Sequence, residues 1–279
     1  MDGDDETYIL LLLSDSNLPT GSFVASAGFE SFVKHGFPAD WKSNDATTLI
    51  FIQDSLETYA RSALPFVSDA HRLVDRFKNS LDAAADESHL SDTVLSDISS
   101  LDQLYTTMTL NHVARRASKA QGVALLTLYS KGFSRPPSLP KDPSVSKLSD
   151  AIAAMLEKLK LMIRREGIDG HLPICWGVLT SALGLTLERS QYLHLFLHAR
   201  SLLSASVRLN TVGPYGAQQL LLHGVRPLVQ AEALRCKDLR TGILDVGHDD
   251  MNDGPAMIWP LGELLAARHD LQHSRIFNS

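Results

Sequence analysis

Histidine spacing is where this sequence first offers chemistry. HLFLH places His194 and His198 at i, i+4 on one helix face, and HDLQH does the same with His269 and His273. Such a pair supplies two of the three or four ligands a metal site requires, and neither carries the glutamate of a His-Glu-x-x-His metalloprotease. HDDMND, with His248, Asp249, Asp250 and Asp253, has donors for a weakly held cation, although a solvated loop has the same composition. His171 and Cys175 are also four apart, but Pro173 between them belongs in a first helical turn. That makes His171 a capping residue and Cys175 a structural one. A Ser, His and acid brought together in space would make a hydrolase, which no spacing here demonstrates. No catalytic, cofactor or stable metal site is therefore expected.

Phosphate chemistry is tested by LLLSDSNLPTGSFVASAGFE, residues 11–30. Gly21 and Gly28 lie either side of a stretch without lysine, so the loop is no P-loop, and the Gly-x-Gly-x-x-Gly pattern of a dinucleotide site is missing. Ser26 precedes Gly28 by two residues, but Val24 stands where a nucleophile elbow has its first glycine. What remains is a turn into a helix, with Asp15, Ser16 or Asn17 as caps, Pro19 fixing φ and Gly21 free to take positive φ.

These groups sit on a chain of 279 residues, 44% of them hydrophobic, enough to bury roughly three quarters of the unfolded surface. A net charge of −6 and a pI near 6.0 give no general drive toward nucleic acid or anionic membrane. Two cysteines, Cys175 and Cys236, are too few for a disulfide framework and suit a reducing, cytoplasmic setting. The opening MDGDDETYILLLL is acidic where a secretory signal would be basic, and no run reaches the ~20 apolar residues of a membrane span.

The positioning elements read as helices throughout. Across residues 188–209, Tyr192, Leu195, Phe196, Ala199, Leu202, Leu203 and Ser206 recur at helical spacing, and Leu193 and Leu197 form a second apolar side. This helix is expected to be central, with His194, His198, Ser201 and Arg208 as its polar stripe. Further helices are predicted over 45–64, 65–77, 101–129, 147–165, 173–183, 216–223, 227–239 and 259–272. Alanines 114, 117, 120 and 124 suit close approach of a neighbouring backbone. The fold class is thus all-α, one domain over 1–279 holding a compact bundle of about eight to ten helices. Residues 80–97, acidic and free of basic residues from 82 to 92, and residues 131–146, with four prolines between 134 and 144, read as exposed linkers. Residues 245–255 read as a polar loop.

One break stands out. In SLLSASVRLNTVGPYGAQQLL, residues 201–221, a helix ends at Arg208 and Asn210, Gly213 and Pro214 interrupt it, and another starts near Gln218. Arg208 and Gln218 are placed to meet across the turn, either tying it down or forming a partner surface.

LLLSDSNLPTGSFVASAGFESFVKHG, HLPICWGVLTSALGLTLERSQYLHLFLHARSLLSASVRLNTVGPYGAQQLL and HDLQHSRIFNS, in this order, resemble the urease accessory protein family UreF. The form VRLNTVGP is similar to plant and fungal members. Departures lie at Ser22, at 25–27, and at Tyr215, where plant relatives carry Leu. The resemblance implies an all-α, dimeric, non-catalytic chaperone that joins UreD (also called UreH) and the GTPase UreG to deliver nickel, held only in transit, into apo-urease. It also admits a regulator of the GTPase, with Arg208 as a transition-state finger. A metal-dependent helical enzyme using His194, His198, His269 or His273 is the rival of another class. Partner contact is expected at Arg208, Asn210, Gly213, Tyr215 and Gln218 of the break and at His269, Arg275, Ile276 and Phe277 of the closing segment. Phe277 is expected to anchor the UreD-like partner, against the alternative that it packs on its own bundle.

Overall fold

A computed structural model describes residues 3–35, 44–81, 87–134, 136, 138, 143–244 and 254–279, without the side chains of 44 and 143–146. Every regular element among them is helical: α1 (Gly3–Leu13), α2 (Phe29–Lys34), α3 (Asn44–Ser80), α4 (Glu87–Met108), α5 (His112–Leu128), α6 (Pro143–Arg164), α7 (Leu172–Ala182), α8 (Leu187–Arg208), α9 (Pro214–Gln219), α10 (Arg226–Cys236) and α11 (Pro260–Ala267). Short 3-10 turns occupy Ser22–Val24 and Arg268–Leu271, and single π-helical turns Tyr129–Phe133 and Leu220–Val225. The chain is all-α, as its helical periodicity predicts. No helix among the described residues is long and apolar enough to cross a membrane.

The centre of the bundle is α7 more than α8. Residues 173–181 are all buried, and α7 packs chiefly on α3 and α5. The fit depends on two glycines. A Cβ on Gly177 would stand 2.5 Å from the Val67 carbonyl of α3, and one on Gly122 of α5 would stand 2.1 Å from the Gly170 carbonyl. Both are far inside van der Waals contact. The expected alanine ridge does not make this approach: Ala114 and Ala117 line a cavity and Ala120 is exposed, while Gly122 meets the neighbouring turn.

Three boundaries differ from expectation for local reasons. Pro65 does not divide 45–64 from 65–77; α3 runs through it, and the Arg61 carbonyl that Pro65 cannot serve accepts the Ala256 N–H at 3.4 Å. Conversely, the helix predicted over 101–129 is two. The first ends at Met108 and Asn111 caps the second, its carboxamide oxygen accepting the N–H groups of Val113 and Ala114 at 3.0 and 3.2 Å. The last helix stops at Ala267 and continues only as a 3-10 turn.

The linkers are also narrower than expected. Residues 87–97 belong to α4, where Ser91, Val94 and Leu95 are buried, and the missing positive charges come from α6, with Lys147 on Glu87 at 3.1 Å and Lys158 on Asp92 at 2.9 Å. Residues 131–133 complete a π-helical turn and 143–146 begin α6. The remainder, 82–86 with most of 135–142, lies outside the described residues.

Candidate functional site

The polar stripe of α8 faces inward. Ser55, Tyr59 and Ser62 of α3 repeat the spacing of His194, His198 and Ser201 of α8, and the two stripes meet along a cavity of about 270 Å³. Trp176 of α7, Ala114 and Ala117 of α5, Glu263 of α11 and the 13–28 segment complete its walls. Tyr59 Oη and His194 Nε2 share a hydrogen bond of 2.8 Å, and Ser55 Oγ and His198 Nε2 one of 3.0 Å. The Tyr59 ring stacks on His198 at 3.9 Å and on His194 at 5.1 Å. Burial, reinforced by His198, lowers the His194 pKa to about 3, and burial lowers that of His198 to about 4. Both imidazoles are neutral at physiological pH. Their Nε2 nitrogens are engaged with hydroxyls, and no three His, Cys, Asp or Glu residues among those described are grouped to hold a metal ion.

The second histidine pair does not share a helix face. His269 is buried in the 3-10 turn, with Nε2 and the Phe277 carbonyl 3.1 Å apart, whereas His273 is exposed beyond it. The HDDMND candidates His248, Asp249, Asp250 and Asp253 lie outside the described residues.

His171 occupies the cap position of α7, but its side chain caps nothing. Ser118 Oγ accepts the Leu172 N–H at 3.0 Å instead, and the imidazole is held between Ser118 and Thr106 at 3.2 and 3.0 Å. Beneath it, the buried Asp102 carboxylate accepts the N–H groups of Asp169, Gly170 and His171 at 2.6, 3.1 and 2.8 Å. Sequence reasoning missed Asp102. Its signal was an acid on the apolar face of Ile98, Leu101 and Tyr105, where only a carboxylate with donors above it can stay.

The expected partner residues divide into two groups. At the break, Asn210 rather than Gly213 takes positive φ, 58°, and the Thr211 N–H reaches back to the Ser206 carbonyl at 3.0 Å, a left-handed helix stop. Gly213 is extended, with φ −71°, and Pro214 opens α9. Asn210, Gly213, Tyr215 and Gln218 are exposed, Tyr215 at 87%. Arg208 does not meet Gln218; its guanidinium donates to the Phe23 carbonyl and lies 4.2 Å from the centre of the Phe277 ring.

That ring belongs to the second group, and it corrects the expected anchor: Phe277 is 2% exposed, packed in the chain's own core. The cause is Glu30 of α2. Its buried carboxylate accepts the N–H groups of Ile276 and Phe277 at 2.8 and 3.2 Å and pairs with Lys34 at 3.1 Å. Burial alone would raise the Glu30 pKa, but these donors outweigh it and hold the group below the usual carboxylate value. Asn278 N–H and Ser279 C=O bond to Val24 C=O and Ser26 N–H at 2.8 and 2.5 Å. Arg275 is paired with Asp270 at 2.7 Å, and of this group Ile276 alone presents a largely exposed apolar side chain.

The opening segment resolves accordingly. Gly21 takes φ 73°, as expected, but α2 begins after Gly28, at φ 86°, not after Asp15, Ser16 or Asn17. Residues 25–28 are an irregular seam, and a Cβ on Gly28 would meet the α11 backbone at Ala266 N, 3.3 Å away.

Fold and site together define an all-helical protein whose buried His194, Asp102 and Glu30, and the cavity-lining His198, are engaged in internal hydrogen bonding. The UreF family pattern matches residues 42–224. The chain is 42% identical over 310 residues to "Urease accessory protein 6" of Cryptococcus neoformans var. grubii, covering 98% of this chain and 97% of that protein. It is 30% identical over 278 residues to the "Uncharacterized urease accessory protein UreF-like" of Schizosaccharomyces pombe, covering 100% and 99%, and 30% identical over 265 residues to "Urease accessory protein F" of Oryza sativa subsp. indica, covering 95% and 82%. The chain belongs to the UreF family of urease accessory proteins. Its role lies in urease maturation, as an accessory protein and not an enzyme.

Proposed function

We propose that this chain is the adaptor of a urease-maturation complex, a homodimer that joins a UreD/UreH-like protein to a UreG-like GTPase and so delivers nickel into apo-urease in the cytoplasm. The observation that carries the reading is similarity to a urease accessory protein along 98% of the chain. The geometry agrees with an adaptor. His171, His194 and His269 are buried and His198 faces the cavity, while Tyr215 and Leu222, at 87% and 55% exposure, offer apolar contact area beside the helix break. Asn210, Gly213 and Gln218 surround Tyr215 in sequence and belong to the same surface, and Ile276 is a second apolar point. Nickel is cargo in this reading, held in transit by the complex and not by a resident site.

No observation favours a GTPase-activating finger, since Arg208 is committed to Phe23 and Phe277. Deletion of the chain should leave urease protein present, nickel-free and inactive, and tagged chain should co-purify with both partners. Full urease activity at ordinary nickel in the deletion strain overturns the reading.

A further inference from the structure

The seam between residues 22–30 and residues 275–279 joins two segments distant in sequence. Two backbone hydrogen bonds, the Glu30 carboxylate and the Phe277 ring hold the closing segment against the body, joined by His269 on the Phe277 carbonyl, Arg116 on the Asn278 carbonyl and the Arg275–Asp270 pair at the surface. Three buried polar atoms on or beside this seam have no hydrogen-bond partner in the protein: Ser26 Oγ, His269 Nδ1 and Gln272 Oε1. His269 Nδ1 is 3.9 Å from Glu30 Oε2, beyond hydrogen-bond reach. Unmet donors and acceptors make the closed arrangement less stable than its contact area suggests, because water would satisfy them on opening.

The seam also forms one side of the cavity. Ser22, Phe23, Ala25, Ala27 and Gly28 line it together with Ser279, and Ser279 is tied to Ser26. Across the same space stand His194 and His198. If residues 275–279 leave, Glu30 loses two of its donors, the Arg208 guanidinium loses the Phe277 ring, and the 22–28 wall loses its backing.

We propose that residues 275–279 are a strap that backs one wall of the histidine-lined cavity and opens away from it, held in place by the Glu30 carboxylate and the Phe277 ring. The strap releases as a local unit while α3, α7 and α8 stay folded. Its opening uncovers Phe277 and gives solvent a path to His198.

Hydrogen exchange on the unmodified full chain tests the first part. The Ile276, Phe277 and Asn278 amides should exchange at least about tenfold faster than those of Val178 and Leu179 in α7, through an opening that leaves α7 protected. Carbethoxylation of His198 by diethyl pyrocarbonate, read by mass spectrometry, tests the second. Glu30→Gln and Phe277→Ala should each raise its rate about tenfold while the helical circular dichroism is kept. Exchange of the strap amides only together with α7 overturns the proposal, and so does an unchanged His198 rate in a folded variant. A variant that does not fold shows the segment to be part of the global core and overturns it equally. Both measurements use the isolated chain, so their failure leaves the adaptor reading untouched.

Discussion

The α3–α7 contact and the strap seam are both buried, yet they are made of opposite materials. Between α3 and α7 the backbones touch through Gly177, and Val67, Ala70, Val178 and Leu179 are 0% exposed. At the seam a carboxylate, an imidazole and an amide are enclosed around the short strap, with three polar atoms unanswered, while in the first region Thr58 Oγ1 and Ser181 Oγ, likewise unanswered, are spread along two helices. The first region gains from apolar area and dispersion, which are non-directional and tolerate no added volume. The second gains from directed hydrogen bonds that water can replace. A single chain can therefore hold a rigid centre and a seam that yields.

The comparison breaks first at its rigid end. Gly177→Leu puts a side chain into the Val67 carbonyl and should cost about 3 kcal/mol or more, read as loss of the cooperative denaturation transition or a collapse of its midpoint. A tolerated leucine would show that α7 can slide on α3.

Two phenylalanine truncations then set a ring deep in the core against the strap's own. Phe51→Ala, deep among Phe29, Phe32 and Trp259, should destabilise by about 4 kcal/mol, whereas Phe277→Ala should cost about 2 kcal/mol because the strap can move off and hydrate. Equal losses in urea denaturation would erase the distinction.

Acid sharpens it further. His194 and His198 stay neutral in the fold down to about pH 3 and 4, while in the unfolded chain they take protons near their ordinary value of 6.5. The unfolded state thus binds more protons below that value, and stability falls as pH drops from 6.5 toward 4. Each imidazole contributes a slope of at most about 1.4 kcal/mol per pH unit. His198→Asn should flatten the dependence measured between pH 6.5 and 5. An identical slope in the variant would place the acid sensitivity elsewhere.

The smallest effect belongs to the surface. Tyr215→Ala should change stability by less than about 0.5 kcal/mol, since the side chain is 87% exposed, yet weaken co-purification with at least one partner. Unaltered partner recovery would remove the break from the docking surface.

Helical periodicity made α7, α8 and the all-α class legible, because apolar residues at 3.6-residue spacing state both the element and its buried face. What the sequence left open was where each polar group finds its complement. His194, His198 and Ser201 form a polar stripe, but their complement is another polar stripe on α3, and only the fold brings the two together. Asp102 was hidden for the same reason, its three donors lying on a turn distant in sequence. Pro65 was read as a helix end because its cost is local and visible, while the donor that offsets it is remote. The closing segment was rightly seen to have apolar side chains needing cover. Its cover is supplied largely from within, by Glu30, a residue that looks like any surface acid until its neighbours are known.

Pro65 carries one more consequence, for the order of events in synthesis. The carbonyl it leaves unserved in the middle of α3 is answered by Ala256, close to the far end of the sequence. Translation delivers all of α3 well before that residue emerges, so the helix must wait with one turn hydrated. A nascent chain halted before Ala256 should therefore display α3 bent or frayed at Arg61, and the long helix becomes continuous only when Ala256 arrives to clasp it.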